Sequence, residues 1–360
     1  MRFPEFEDDW EVKKLGEICK MQAGKFVNAS KINSKPTNDL FPCYGGNGLR
    51  GYTKSFNHDG EYSLIGRQGA LCGNVTLTNG KFHATEHAIV VTPNNNIDTA
   101  WLFYLLTYLN LNRYATGMAQ PGLSVQNLEQ VETIISKLLG EQRKIASFLS
   151  LIDERINTQN KRIEKFESLI KGLREKLFTQ LLRFKDNNGN HFPNWEIKTV
   201  EEVCEKKSSN ISANKIESNF GKYIVYGAAG ILKNVDFYEE ENDYVSIVKD
   251  GAGVGRLFYC KGKSSVLGTM DIIRPKSNIN TYFLFCLLNN IDFTIYITGS
   301  TIPHIYFKDY KNEKCMIPCM EEQLKISSFL LALNKKNSTQ KKLLQQYEDQ
   351  KKYFLQKIFI

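Results

Sequence analysis

Three clustered side chains are the first candidates for chemistry: His83, Glu86 and His87, in His83-Ala-Thr-Glu-His87. The His-x-x-Glu-His spacing is one in which two imidazoles on a helix face hold zinc and a glutamate moves the proton of bound water. That chemistry needs a helix and a third ligand. Here the segment runs straight into Ala88-Ile-Val-Val, which predicts a strand. A zinc hydrolase using His83, Glu86 and His87 is therefore kept only as a lesser alternative. Cys315-Met-Ile-Pro-Cys319 lacks a second ligand pair. Gly262-Lys263-Ser264 has Leu257 where a phosphate loop needs glycine. Gly251-Ala-Gly-Val-Gly255 is glycine-dense, but it matches Gly69-Ala-Leu-Cys-Gly73, so it reads as a shared turn. No metal and no cofactor is predicted for this chain.

That last match belongs to a longer series. Trp10-Glu-Val-Lys-Lys-Leu-Gly-Glu-Ile-Cys19 returns as Trp195-Glu-Ile-Lys-Thr-Val-Glu-Glu-Val-Cys204. Tyr44-Gly-Gly-Asn-Gly-Leu49 returns as Tyr226-Gly-Ala-Ala-Gly-Ile231, and Ala88 to Pro93 as Met270 to Pro275. Thr99 to Leu106 returns as Thr281 to Leu288, and Glu141-Gln142 as Glu322-Gln323. A collinear series at an offset near 182 residues predicts a duplicated chain.

Each copy begins with a mixed globule. Residues 63–65, 74–77 and 88–91 predict short strands between glycine turns, and 99–110 a buried helix. Each copy ends in a long helix. In the first, Leu149, Ile152, Ile156, Gln159, Ile163, Phe166, Ile170, Leu173 and Leu177 alternate three- and four-residue steps, a heptad seam. In the second, Leu330, Leu333, Asn337, Gln340, Leu344, Tyr347, Lys351, Phe354 and Ile358 do the same. The predicted fold class is α+β: two similar mixed α/β domains separated by a long antiparallel two-helix coiled coil, with an internal pseudo-twofold repeat. Helices of about 40 residues run about 60 Å, and a linker of about ten residues cannot retrace that length. The second helix must run back along the first, with a globule at each end of a rod.

Charge points the same way only weakly. Net charge is +8. The two globular segments are neutral, with 13 basic and 13 acidic residues in 1–140 and 16 of each in 184–320. The excess lies in the long helices. The longest apolar stretches are short of the ~20 residues a bilayer needs, and the acidic N-terminus predicts no signal peptide. A cytoplasmic, membrane-free protein is expected, its eight cysteines reduced and mostly packed. A rod with two unlike heads suits a ligand that repeats over tens of ångströms, as duplex DNA does at about 34 Å per turn. The alternative is a non-catalytic rod-shaped scaffold with two protein-binding heads.

From residue 3 to 359 the chain resembles the specificity (S) subunits of type I restriction–modification systems. The resemblance is carried by Phe3-Pro-Glu-Phe-Glu-Asp-Asp-Trp-Glu-Val-Lys-Lys-Leu-Gly-Glu-Ile18, its echo Phe192-Pro-Asn-Trp-Glu-Ile197, Gly117-Met-Ala-Gln-Pro-Gly-Leu-Ser124 and Ile317-Pro-Cys-Met-Glu-Glu-Gln-Leu-Lys-Ile326. It departs where Lys137 stands opposite Pro318, and where Ile302-Pro-His-Ile-Tyr306 replaces the glutamine and serine seen as Gln120 and Ser124. The resemblance implies target-recognition domains at 1–140 and 192–320, spacer helices at 141–183 and 321–360, and a linker at 184–191. It implies a bipartite, asymmetric double-stranded DNA target and a non-catalytic chain. The implied partners are two adenine-methyltransferase (M) subunits carrying S-adenosylmethionine, and restriction (R) subunits in the full complex. The sequence has no Asn/Asp-Pro-Pro-aromatic motif that would grip a target amine.

Base edges specify and phosphates anchor, so DNA contacts are expected from polar loop residues in the diverged segments. In the first copy these are Asn47, Arg50, Tyr52, Lys54, Arg67, Gln68, Asn74 and Gln120. In the second they are Lys233, Lys249, Asp250, Arg256, Lys261, Lys263, Thr301 and His304.

Overall fold

The computed structural model describes residues 1–69, 71–117 and 121–359. They form two compact units: residues 1–160 with 342–360, and residues 161–341. Both long helices, Leu139–Phe178 and Met320–Ile358, contribute to both units. Neither is apolar enough to cross a membrane.

The first unit holds two four-stranded sheets. One runs Cys19–Ala23, Ala88–Pro93, Tyr62–Gly66, Val75–Thr78, all antiparallel. The other runs Gly48–Thr53, Phe41–Gly45, Lys81–Ala84, His58–Asp59, with Phe41–Gly45 and Lys81–Ala84 parallel. The pair Glu11–Lys14 and Glu132–Ile135 closes the base. The helix Thr99–Tyr108 starts at Asp98, whose side chain accepts from the Trp101 N–H and caps the helix. It buries Trp101, Leu102, Leu105 and Leu106 completely, because it is apolar nearly all round.

The second unit repeats this order. Cys204–Ser208, Met270–Pro275, Tyr244–Val248 and Leu257–Cys260 form one sheet, and Gly230–Val235, Tyr223–Gly227 and Ser264–Val266 the other. The offset is 185 at Cys19 and Cys204, 182 at Phe41 and Tyr223, and 181 where the long helices begin at Leu139 and Met320. The second copy therefore has a loop three residues shorter after its first sheet strand.

Within each unit the long helices lie antiparallel. In the first, Phe148 meets Phe354 edge-on at 4.9 Å, and Asp153 meets Lys351 at 2.6 Å. In the second, Glu167 binds Asn337 and Lys341, while Ile170 and Arg174 share a cavity wall with Leu330 and Asn334. Leu149, Ile152, Ile163, Ile170, Leu177, Leu330 and Ile358 are buried. Ile156, Phe166, Leu173, Leu333, Leu344, Tyr347 and Phe354 are half-buried. The heptad pattern does not include Leu355 and Phe359, which are also buried. Phe359 packs against Trp10, Trp101 and Tyr108, tying the end of the second helix to the first globule.

Candidate nucleic-acid interface

Three turns of the first unit meet in one cleft. The first joins Phe41–Gly45 to Gly48–Thr53, the second follows Tyr62–Gly66, and the third leads from Lys81–Ala84 into Ala88–Pro93. Small residues allow this approach. A Cβ on Gly46 would stand 2.7 Å from the Gln68 carbonyl oxygen, and one on Gly66 2.2 Å from the Gly46 carbonyl oxygen. The cleft holds about 330 Å³, and its side-chain lining is Asn47, Arg50, Gln68 and His87. His87 Nδ1 lies 3.0 Å from Gln68 Oε1, and Nε2 lies 3.2 Å from Glu86 Oε1. The Arg67 N–H donates to the His87 carbonyl, and the Arg67 carbonyl accepts from Leu123. Backbone bonds thus hold the floor of the cleft, and its rim is side chain.

Of the residues expected to touch DNA in this copy, Asn47, Arg50 and Gln68 are brought together here. Arg67 joins through its backbone. Tyr52 lies along its strand, paired with Asn33, and Lys54 is exposed beyond it. Asn74 is exposed and does not line the cleft. Gln120 lies outside the described residues. His87, not among the residues expected to contact DNA, also lines the cleft.

In the second unit Asp250 occupies the position of Gln68. Its Oδ1 lies 2.7 Å from His304 Nδ1, and the two residues form a β-bridge. Lys249 reaches Asp271 at 3.3 Å. Arg256 donates to the Ala228 carbonyl at 2.9 Å, spanning from its hairpin to the neighbouring turn. Lys233 donates to the Ile216 carbonyl at 2.8 Å and lies over the Phe220 ring. Lys261 pairs with Asp243 at 2.8 Å and Lys263 with Glu241 at 3.6 Å. Burial works against the charged form of Asp243, yet bonds from Lys261, Tyr259 and the Gly262 N–H hold its carboxyl below the usual value. Lys261 and Lys263 follow the far end of Leu257–Cys260 from Arg256, so the two lysines and Arg256 belong to different ends of the hairpin. Thr301 is exposed.

The His-x-x-Glu-His segment is strand and turn. His83 is buried on Lys81–Ala84 with its ring between Ser55 Oγ, 3.2 Å away, and the Lys25 carbonyl, 3.1 Å away. His87 belongs to the cleft. Among the described residues no three His, Cys, Asp or Glu side chains are grouped to hold a metal.

Known proteins match this arrangement. The family model described as type I restriction modification DNA specificity domain matches twice, over residues 7–168 and 193–349. The EcoprrI type I restriction enzyme specificity subunit of Escherichia coli is 46% identical over 159 residues, which cover 44% of this chain and 39% of that protein. A putative type I restriction enzyme specificity subunit of Haemophilus influenzae is 21% identical over 80% of this chain and 79% of its own length. The crystal structure of a type I restriction–modification S subunit from M. genitalium superposes with a TM-score of 0.70 at 19% identity, covering 100% of this chain and 99% of that one.

Proposed function

The chain belongs to the type I restriction–modification DNA specificity family, and from that premise we propose that it is the subunit that chooses the DNA sequence for such a complex. Each unit reads one half of a bipartite, asymmetric target in duplex DNA. The unlike side chains at corresponding positions, Gln68 against Asp250 and His87 against Thr269, favour two different half-sites. The chain itself performs no chemistry. It docks two methyltransferase subunits, which bring S-adenosylmethionine and take the target adenine out of the stack. A restriction subunit joins the full assembly, and the setting is cytoplasmic.

The observation that carries this reading is the cleft of the first unit. Its polar rim stands on a glycine-rich backbone floor, and the corresponding turns of the second unit carry different side chains. The test is to express the chain with its methyltransferase partner and map methylated adenines across the host genome. The expected result is one bipartite motif, absent when either protein is omitted. Methylation without sequence preference would overturn the reading.

A further inference from the structure

Base reading by an amide depends on which of its ends is free. Gln68 Oε1 can only accept, and it is this end of the amide that lies 3.0 Å from His87 Nδ1. Among the described residues Gln68 Nε2 has no partner, so the amide keeps its NH2 for a ligand. Arg50, exposed on the same cleft, has donors only. A glutamine that reads adenine uses both ends, accepting from N6 and donating to N7. With its oxygen turned to His87, Gln68 leads with its NH2 rather than with the acceptor–donor pair set for that edge. Guanine offers two acceptors, O6 and N7, and pairs with two donors.

The second unit supports the importance of this position. Asp250, at the place of Gln68, also has one oxygen held by an imidazole, that of His304. That imidazole comes from elsewhere in the fold. His304 corresponds to Gly122, and His87 corresponds to Thr269. The two copies thus buttress the same position by different routes.

We propose that the first unit reads a guanine in this cleft through Gln68 and Arg50, with His87 as the positioning residue that turns the amide donors toward the base. This deepens the specificity-subunit reading and rests on it. The experiment uses the full chain with its methyltransferase partner and compares the methylated motifs of the wild type, Gln68→Glu, His87→Ala and Arg50→Ala. Wild type is expected to require guanine at one position of one half. Gln68→Glu replaces the donor with a second acceptor, and should lower the guanine preference there roughly 10- to 100-fold in favour of cytosine. His87→Ala should admit adenine beside guanine at that position, whereas a purely structural role would lower methylation at all sites alike. Arg50→Ala, on the exposed rim, should relax the same position. The other half should stay unchanged in every variant. If the complexes methylate and no position of either half changes preference, the proposal is wrong. If Gln68→Glu and His87→Ala abolish methylation altogether, an unchanged motif in Arg50→Ala is enough to overturn it. A wild-type complex with no bipartite motif would sink the underlying reading instead.

Discussion

The guanidinium of Arg2 meets the carboxylate of Glu141 side by side, Nε to Oε1 at 2.7 Å and Nη2 to Oε2 at 3.1 Å. Trp10 Nε1 and Ser136 Oγ complete the carboxylate's shell, and Glu141 is 0% exposed. The second unit repeats the arrangement with Arg183, Trp195 and Glu322, and both arginines stand 139 residues before their glutamates. The clasp fixes the segment leading into each globule to the first turn of a long helix. It also leaves a charge that cannot be stranded cheaply.

Acid should therefore loosen the chain. Burial disfavours the charged form of Glu141, but bonds from Arg2, Ser136 and Trp10 more than compensate and hold its carboxyl below the ordinary value of 4.5. Burial likewise opposes the charge of Glu240, and Arg274 and Lys207 bring it below the same value. A carboxyl depressed by folding contributes stability that is present above the unfolded value and is lost as pH falls through the folded one. Urea midpoints should be flat above about pH 5 and fall below about pH 4.5. Glu141→Ala should cost about 3 kcal/mol at neutral pH, since it leaves Trp10 Nε1 and Ser136 without their acceptor. A Glu141→Ala midpoint equal to wild type would contradict this.

The sequence exposed the duplication because framework glycines and apolar residues recur in order, and a strand or helix at one position demands the same at the other. It exposed the helix seams because burial on one stripe imposes a period. It did not expose the clasp. Trp10 and Trp195, or Glu141 and Glu322, stand out as repeats, but nothing local links the glutamates to Arg2 and Arg183, 139 residues earlier. The pairing of His87 with Gln68 was hidden for a similar reason: Gln68 follows the neighbouring strand, 19 residues earlier in the chain, and no local spacing links the two.

The cleft depends on Gly66, where the second copy carries Val248. Gly46 is correspondingly Ala228. In that copy Val248 is buried and Ala228 packs against its cluster, whereas in the first unit the Gly46 carbonyl fills the space a Cβ would need. Copying the second unit into the first by Gly66→Val should push the 45–48 turn off the floor. We expect a loss of about 1–3 kcal/mol in stability, the cost of overpacking. Fewer sites should be methylated, with discrimination lost in one half of the motif. Retention of the full motif would show that the close approach is dispensable.

Thiol chemistry should single out one cysteine. Burial pushes Cys19, Cys204 and Cys286 up to about 12, and Cys260 and Cys315 up to about 11. Their thiolates are scarce at pH 8, and the side chains are inaccessible. Cys319 alone is exposed. The folded chain should react quickly with about one equivalent of an aromatic disulfide, and Cys319→Ser should abolish that fast phase. Denaturant should release the other seven. A fast phase that survives in Cys319→Ser would mean that one of the globules opens readily.

Exchange of the first globule tests whether the two units read independently. A donor domain replacing residues 1–140 would meet a helix that begins at Leu139. Gln142, buried on that helix, accepts from the Asp98 N–H and donates to the Asn96 and Ser136 carbonyls. Gln323 makes the matching bonds to Asn280, Asn278 and Pro318. These contacts are mostly to backbone, so a domain with the same turn geometry can dock whatever side chains its cleft carries. The exchanged chain, joined with Glu141 and Gln142 retained and a donor arginine at the position of Arg2, should fold and support methylation. Its motif should differ from the original in one half only. Mapping methylated adenines from both complexes reads this directly: a change in both halves would mean that the units do not read separately.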